Sequence, residues 1–203
     1  MKRAFDIILS SLGLIILLPL GILIAVLIKL ESDGPVFFSQ MRMGKNLQPF
    51  AMYKFRTMHT NAEKGGLLTV GKKDRRITKV GYWLRNYKLD ELPQLWNVLK
   101  GDMSLVGPRP EVAKYVAYYN DEQKRVFSIR PGITDWASIA FRHENELIEK
   151  ASDPEDYYIK EILPAKLALN LAYLDNRSFF TDLQIIMQTV LPIGRKKHIR
   201  KSD

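Results

Sequence analysis

The 203-residue chain is predicted to be an α+β protein, mostly helical with little strand. Its expected parts are an N-terminal membrane helix-break-helix (residues 1–30), a compact domain with interfacial amphipathic helices (31–195) and a basic tail (196–203). Three observations carry this. Residues 7–28 are 22 consecutive uncharged positions, more than the ~20 an α-helix needs to cross a bilayer core. Further on, apolar residues recur mainly at helical spacing, with a short apolar run at 36–40 and extended stretches expected at 50–58 and 133–141. Finally, 31 Lys plus Arg against 22 Asp plus Glu give +9, which favours an anionic partner such as lipid, a phosphorylated small molecule or nucleic acid.

The apolar run is too long for a cleaved signal peptide and no small-x-small site follows it. Pro19 removes a backbone donor and clashes with the preceding turn, so a kink or break is expected at Leu18–Pro19. Basic residues flank the run on both sides, Lys2 and Arg3 before, then Lys29, Arg42 and Lys45 after. That pattern opposes placing the flanks on opposite faces of a membrane. The residues alone leave a hairpin that dips in and returns level with a simple span.

In the middle of the chain, FAMYKFRTM (50–58) reads as a strand whose Lys54 and Arg56 would share a face. Residues 61–74 are polar and read as a loop, with Gly65-Gly66 and Lys72-Lys73. Ile77, Val80, Leu84 and Tyr87 predict a helix that carries Arg85 near its end. A second helix is expected to start at Asp90 or Glu91, with Pro93 in its first turn, the stripe Leu92, Leu95, Trp96 and Leu99, and Gly101 closing it. Asp90 is then either an ordinary N-cap or a carboxylate kept ionised for phosphate or metal chemistry. Two adjacent acids on a basic protein suit magnesium, which prefers oxygen ligands and substrate phosphates. Arg109, between Pro108 and Pro110, is a guanidinium on a stiff turn, suited to bidentate phosphate binding. Arg142, after an expected extended run at 133–141, is a further candidate.

In the last third, Ser152-x-x-Glu155 and Thr181-x-x-Gln184 read as capping boxes, and Pro164 is expected to interrupt the helix opened by the first. The final helix and its basic tail are either a membrane-surface element or a core helix with a solvated end. Cysteine is absent, which excludes disulfides and cysteine-bound metals. The three histidines, His59, His143 and His198, lack zinc-ligand spacing. Nucleic acid is disfavoured as the anionic partner, because no reading motif is present and acids lie among the bases.

LDELPQLWNV (89–98) and GDMSLVGPRP (101–110), with YKFRTM (53–58), Arg76-Ile77-Thr78, Leu84-Arg85 and RPGIT (130–134), resemble the bacterial sugar transferases, the small monotopic phosphoglycosyl transferases. The resemblance covers nearly the whole chain. It implies transfer of a sugar-1-phosphate from a UDP-sugar to undecaprenyl phosphate at the cytoplasmic face of a bacterial inner membrane, with release of UMP. It further implies Asp90 as the nucleophile, Glu91 in the same dyad, magnesium held by Asp90 and Glu91, and Lys54, Arg85, Arg109 and Arg142 as phosphate and nucleotide contacts. A re-entrant helix is also implied, and a homodimer is allowed. Two departures stand out: Leu18 replaces the serine of the family's Ser-Pro break, and Phe141-Arg142-His143 replaces Gly-Arg-Asn.

Overall fold

The computed structural model describes residues 2–60, 62 and 74–191. Most of the loop expected at 61–74, including both Gly65-Gly66 and Lys72-Lys73, and the basic tail lie outside the described residues.

Helix α1 runs from Lys2 to Glu31, and at 1.5 Å per residue it is about 45 Å long. It is long and apolar enough to cross a membrane. A stripe at i, i+3 and i+4 spacing faces the rest of the chain: Asp6 and Ser10 in the first half, Ile24 and Ile28 in the second, all buried. Outside the stripe, Ile15 and Ile16 are 70% and 72% exposed.

Polar contacts pin the start of α1. Lys2 donates to the Val106 carbonyl at 3.0 Å and pairs with Asp182. Arg3 donates to the Val98 and Leu99 carbonyls at 2.6 and 3.0 Å. Asp6 accepts from the Ser104 hydroxyl at 2.8 Å and from the Leu105 N–H at 3.1 Å. The far end is pinned as well. Ile24 and Ile28 pack with Phe55 and Leu84, and Glu31 accepts from the N–H groups of Lys79 and Val80 at 2.6 and 2.8 Å. Both ends of one long apolar helix therefore rest on the same domain.

The expected break into two helices at Leu18–Pro19 is corrected, while a kink at Pro19 is compatible with one continuous helix. The helix continues through Pro19, and Leu18 and Pro19 both face outwards. One proline removes one donor, while the docked stripe continues on either side of it and holds both halves in place.

After α1, strands β1 (Phe37–Met43) and β2 (Pro49–Phe55) form an antiparallel hairpin, with Phe37 opposite Phe55 and Met43 opposite Pro49. Helix α2 spans Lys79–Asn86 and is capped by Thr78, whose hydroxyl accepts from the Gly81 N–H. Next come a 3-10 turn, Leu89–Glu91, and helix α3, Gln94–Lys100. Strand β3 (Ser104–Val106) pairs in parallel with β4 (Gly132–Thr134), and the short helix α4 (Ala113–Val116) lies between them in sequence. Gly107 and Gly132 approach so closely that a Cβ on Gly132 would stand 2.1 Å from the Gly107 nitrogen.

Helices α5 (Trp136–Ala140), α6 (Glu144–Ile148), α7 (Pro154–Tyr157), α8 (Leu163–Asp175) and α9 (Phe179–Val190) complete the chain. Tyr115, Phe127, Phe141, Tyr158, Leu163 and Leu167 share a core beneath them.

Several local expectations change. Extended structure stops at Thr134 because Asp135 accepts from the Ser138 N–H at 2.6 Å and starts α5. The caps fall elsewhere than expected, at Asp153 for α7 and at Ser178 for α9. Pro164 does not interrupt its helix. The N–H it lacks would have pointed back towards Lys160, which lies in a wide π turn over Tyr158–Ile162. In α9, Asp182 and Ile185 are buried while Leu183, Met187 and Val190 are exposed and Phe180 is 79% exposed, so most of its apolar face stays uncovered.

Candidate active site

Asp90 and Glu91 sit in the Leu89–Glu91 turn, one short step before α3. The N-cap reading of Asp90 is corrected: the cap of α3 is Pro93, with no side-chain bond, and the α-helix starts at Gln94. Asp90 is 6% exposed, and its Oδ1 has no hydrogen-bond partner among the described residues. Its nearest cation is the Lys54 ammonium, 3.9 Å from Oδ2. Burying an ionisable group with one oxygen unsatisfied is costly, and no capping role offsets that cost here.

Glu91 is fully engaged. Its Oε1 accepts from the Lys54 ammonium at 2.9 Å and from Arg109 Nη2, and its Oε2 accepts from Arg109 Nη1 at 3.1 Å. Arg109 is itself held from behind. Its backbone N–H donates to Asp135 Oδ2 at 2.9 Å and its Nη1 to the Ile133 carbonyl at 3.4 Å. Asp135 is completely buried and holds both the Pro108–Pro110 turn and the start of α5.

Arg85 reaches the site from α2, where its Nε donates to Thr57 Oγ1 at 2.9 Å. The main chain sets this approach, since a Cβ on Gly81 would stand 2.0 Å from the Thr57 carbonyl.

The two carboxylates are driven in opposite directions. Burial pushes Asp90 up, and the Lys54 ammonium only partly offsets it. Burial would raise Glu91 too, but Arg109 and Lys54 more than offset it and hold it well below the usual carboxylate range. Arg109 is pushed up by the Glu91 charge, and burial pulls Arg85 down. A buried carboxylate with a free oxygen, next to one locked between two cations, is a division of labour suited to a reacting acid beside a structural one.

Of the residues singled out in the sequence, Lys54, Arg109, Asp90 and Glu91 meet directly, and Arg85 borders them. Arg142 does not join them. It is exposed and donates to the Thr189 carbonyl of α9 at 3.3 Å. The face shared by Lys54 and Arg56 is also lost, since Arg56 lies beyond β2 and binds the carbonyls of Ser32 and Asp33 behind α1. Thr57 and Asp135 were not singled out. Asp135 had a readable signal, an acid directly ahead of an apolar run, whereas Thr57 lay inside the YKFRTM match with no role assigned to it.

The family model for bacterial sugar transferases matches residues 1–196. The chain belongs to that family. Among its relatives, an Aeromonas hydrophila UDP-N-acetylgalactosamine-undecaprenyl-phosphate N-acetylgalactosaminephosphotransferase is 39% identical over 95% of this chain and 43% of its own length. The uncharacterized sugar transferase EpsL of Bacillus subtilis is 40% identical over 100% of this chain and 92% of its own. A UDP-glucose:undecaprenyl-phosphate glucose-1-phosphate transferase of Caulobacter vibrioides is 37% identical over 93% and 68%. The chain thus spans less than half the length of the Aeromonas relative.

For this bacterial sugar transferase the expected magnesium can be tested against the donor set. Among the described residues, no group of three or more His, Cys, Asp and Glu could hold a metal ion. Glu91 is the poorer candidate ligand, because Lys54 and Arg109 already bond both its oxygens. Asp90 does fit, since its buried Oδ1 is free and magnesium commonly uses one carboxylate together with substrate phosphates and water.

Proposed function

We propose that this protein moves a sugar-1-phosphate from a UDP-sugar to undecaprenyl phosphate through a covalent intermediate on Asp90. The observation that carries the reading is the Asp90 carboxylate, buried, uncapped and with Oδ1 unpartnered, beside a second acid that two cations neutralise. Relatives named as undecaprenyl-phosphate phosphotransferases of glucose and of N-acetylgalactosamine support the reaction class. The sugar stays open between them.

Chemically, an Asp90 oxygen attacks the sugar-bearing phosphorus. The bond from that phosphorus to the bridging oxygen breaks, and UMP leaves with the bridging electrons. An oxygen of the lipid phosphate then attacks the same phosphorus and frees Asp90 as a carboxylate. Lys54 and Arg85 hold positive charge near the departing phosphates, and the Glu91–Arg109 pair fixes the wall behind them. Magnesium held by Asp90 and the substrate phosphates would supply further charge neutralisation.

Both ends of α1 rest on one domain, which favours insertion from a single face, here the cytoplasmic one, over a span. Exposed apolar residues continue from α1 to the start of α9, where the Phe5 and Phe179 rings meet at 5.2 Å. That surface suits the bilayer interface.

The test is exchange of labelled UMP into a UDP-sugar with magnesium and no lipid. Wild type is expected to exchange, and Asp90→Asn to lose at least about a thousandfold. Full exchange in Asp90→Asn would rule out covalent catalysis by this residue.

A further inference from the structure

Resting on that reading, we propose that Lys88 is a substrate-binding residue whose ammonium takes a phosphate oxyanion at the mouth of the site. Lys88 immediately precedes the Leu89–Glu91 turn and adopts φ 58, ψ 21, in the left-handed region. The only other non-glycine residues with positive φ among those described are Asn46 and Leu47, in the β1–β2 turn. A lysine gains nothing from this backbone, which glycine or asparagine adopts at little cost. Strain of this kind is kept where the surrounding structure imposes it, and such residues gather at ligand sites.

The side chain keeps solvent access, while burial around its ammonium and then the charges of Glu91, Arg109, Asp90 and Lys54 act on it. The other cations of the cluster are already engaged: Lys54 and Arg109 with Glu91, and Arg85 with Thr57. Among the described residues, the Lys88 ammonium makes no hydrogen bond or ion pair. It therefore has its donors available to a ligand, two residues from the proposed nucleophile. The ligand chemistry is a phosphate oxyanion, which either the nucleotide diphosphate of the donor or the phosphomonoester of the acceptor could supply.

The experiment compares wild type, Lys88→Met and Lys88→Asn in two arms, each read as KM and kcat. One arm is lipid-free UMP exchange over a series of UDP-sugar concentrations. The other is full transfer over a series of undecaprenyl phosphate concentrations at saturating donor. A rise of about tenfold or more in KM in the exchange arm assigns the contact to the donor, and the same rise only in the transfer arm assigns it to the acceptor. Lys88→Asn relieves the backbone, so its melting temperature should hold or rise while KM still worsens, which a merely structural lysine would not produce. Unchanged KM in both arms overturns the inference. If wild type shows no exchange at all, the transferase reading fails first, and binding of inorganic pyrophosphate to wild type against Lys88→Met decides the Lys88 contact by itself.

Discussion

Three side chains at the centre of the site are coupled by charge, and their coupling can be read out by pH. As the proposed nucleophile Asp90 would have to be ionised, yet burial raises its pKa, so activity should fall with acidification from a pH above that of an ordinary aspartate. Lys54 is the main charge working against that rise. Lys54→Met should therefore move the acid limb of the lipid-free exchange profile to higher pH, and an unmoved limb would show that Lys54 does not set the Asp90 charge. Glu91 behaves in the opposite way. Its folded pKa lies well below the unfolded value of about 4.3, so its stabilisation is complete above that value and is lost as pH falls through the folded one. Urea unfolding followed from pH 7 to 3 should show wild type losing stability relative to Glu91→Gln only in that acid window. Arg109→Met leaves Glu91 buried with one partner, and should cost about 3 kcal/mol in the same assay at neutral pH.

At the level of elements, the site is assembled by three close approaches that bring distant turns together. The parallel β3–β4 pair places the Pro108–Pro110 turn against Ile133 and Asp135, and it depends on glycine at Gly107 and Gly132. Gly132→Ala puts a Cβ against main-chain atoms that cannot step aside, so soluble yield and cooperative unfolding should both collapse, whereas a conservative change at exposed Tyr118 should do neither. The second approach, Gly81 on the Thr57 carbonyl, aims α2 and with it Arg85. The third is the docking of α1 on both α3 and α2. Sequence periodicity revealed α2, and the proline-bounded turn revealed Arg109, because both signals are local. It misplaced the caps of α3, α7 and α9, because several neighbouring residues could have supplied the same hydrogen bond and tertiary packing chose among them. Arg142, offered by the sequence as a further phosphate contact, donates instead to the Thr189 carbonyl of α9, because the start of α5 at Asp135 turns the chain.

For the molecule as a whole, the long N-terminal helix and the turn that carries Asp90 and Glu91 are one structure. Lys2, Arg3 and Asp6 bind the ends of α3 and β3, while Ile24 and Ile28 pack on the strand that carries Lys54. Insertion from one face is therefore expected to leave both ends of α1 on the domain's side of the bilayer. Because the chain lacks cysteine, single cysteines placed at Ala4 and at Asp33 can be labelled separately in sealed vesicles. Both should react from the same side, and reaction from opposite sides would mean that α1 spans the membrane. The proposed covalent step can be tested just as directly on the intact chain. After brief mixing with magnesium and UDP-glucose or UDP-N-acetylgalactosamine, without lipid, and an acid quench, the mass of the whole protein should rise by one sugar phosphate, mapped to Asp90 and absent from Asp90→Asn. Catalytic turnover with no such adduct, or an adduct on any residue other than Asp90, would contradict a phosphoaspartyl route.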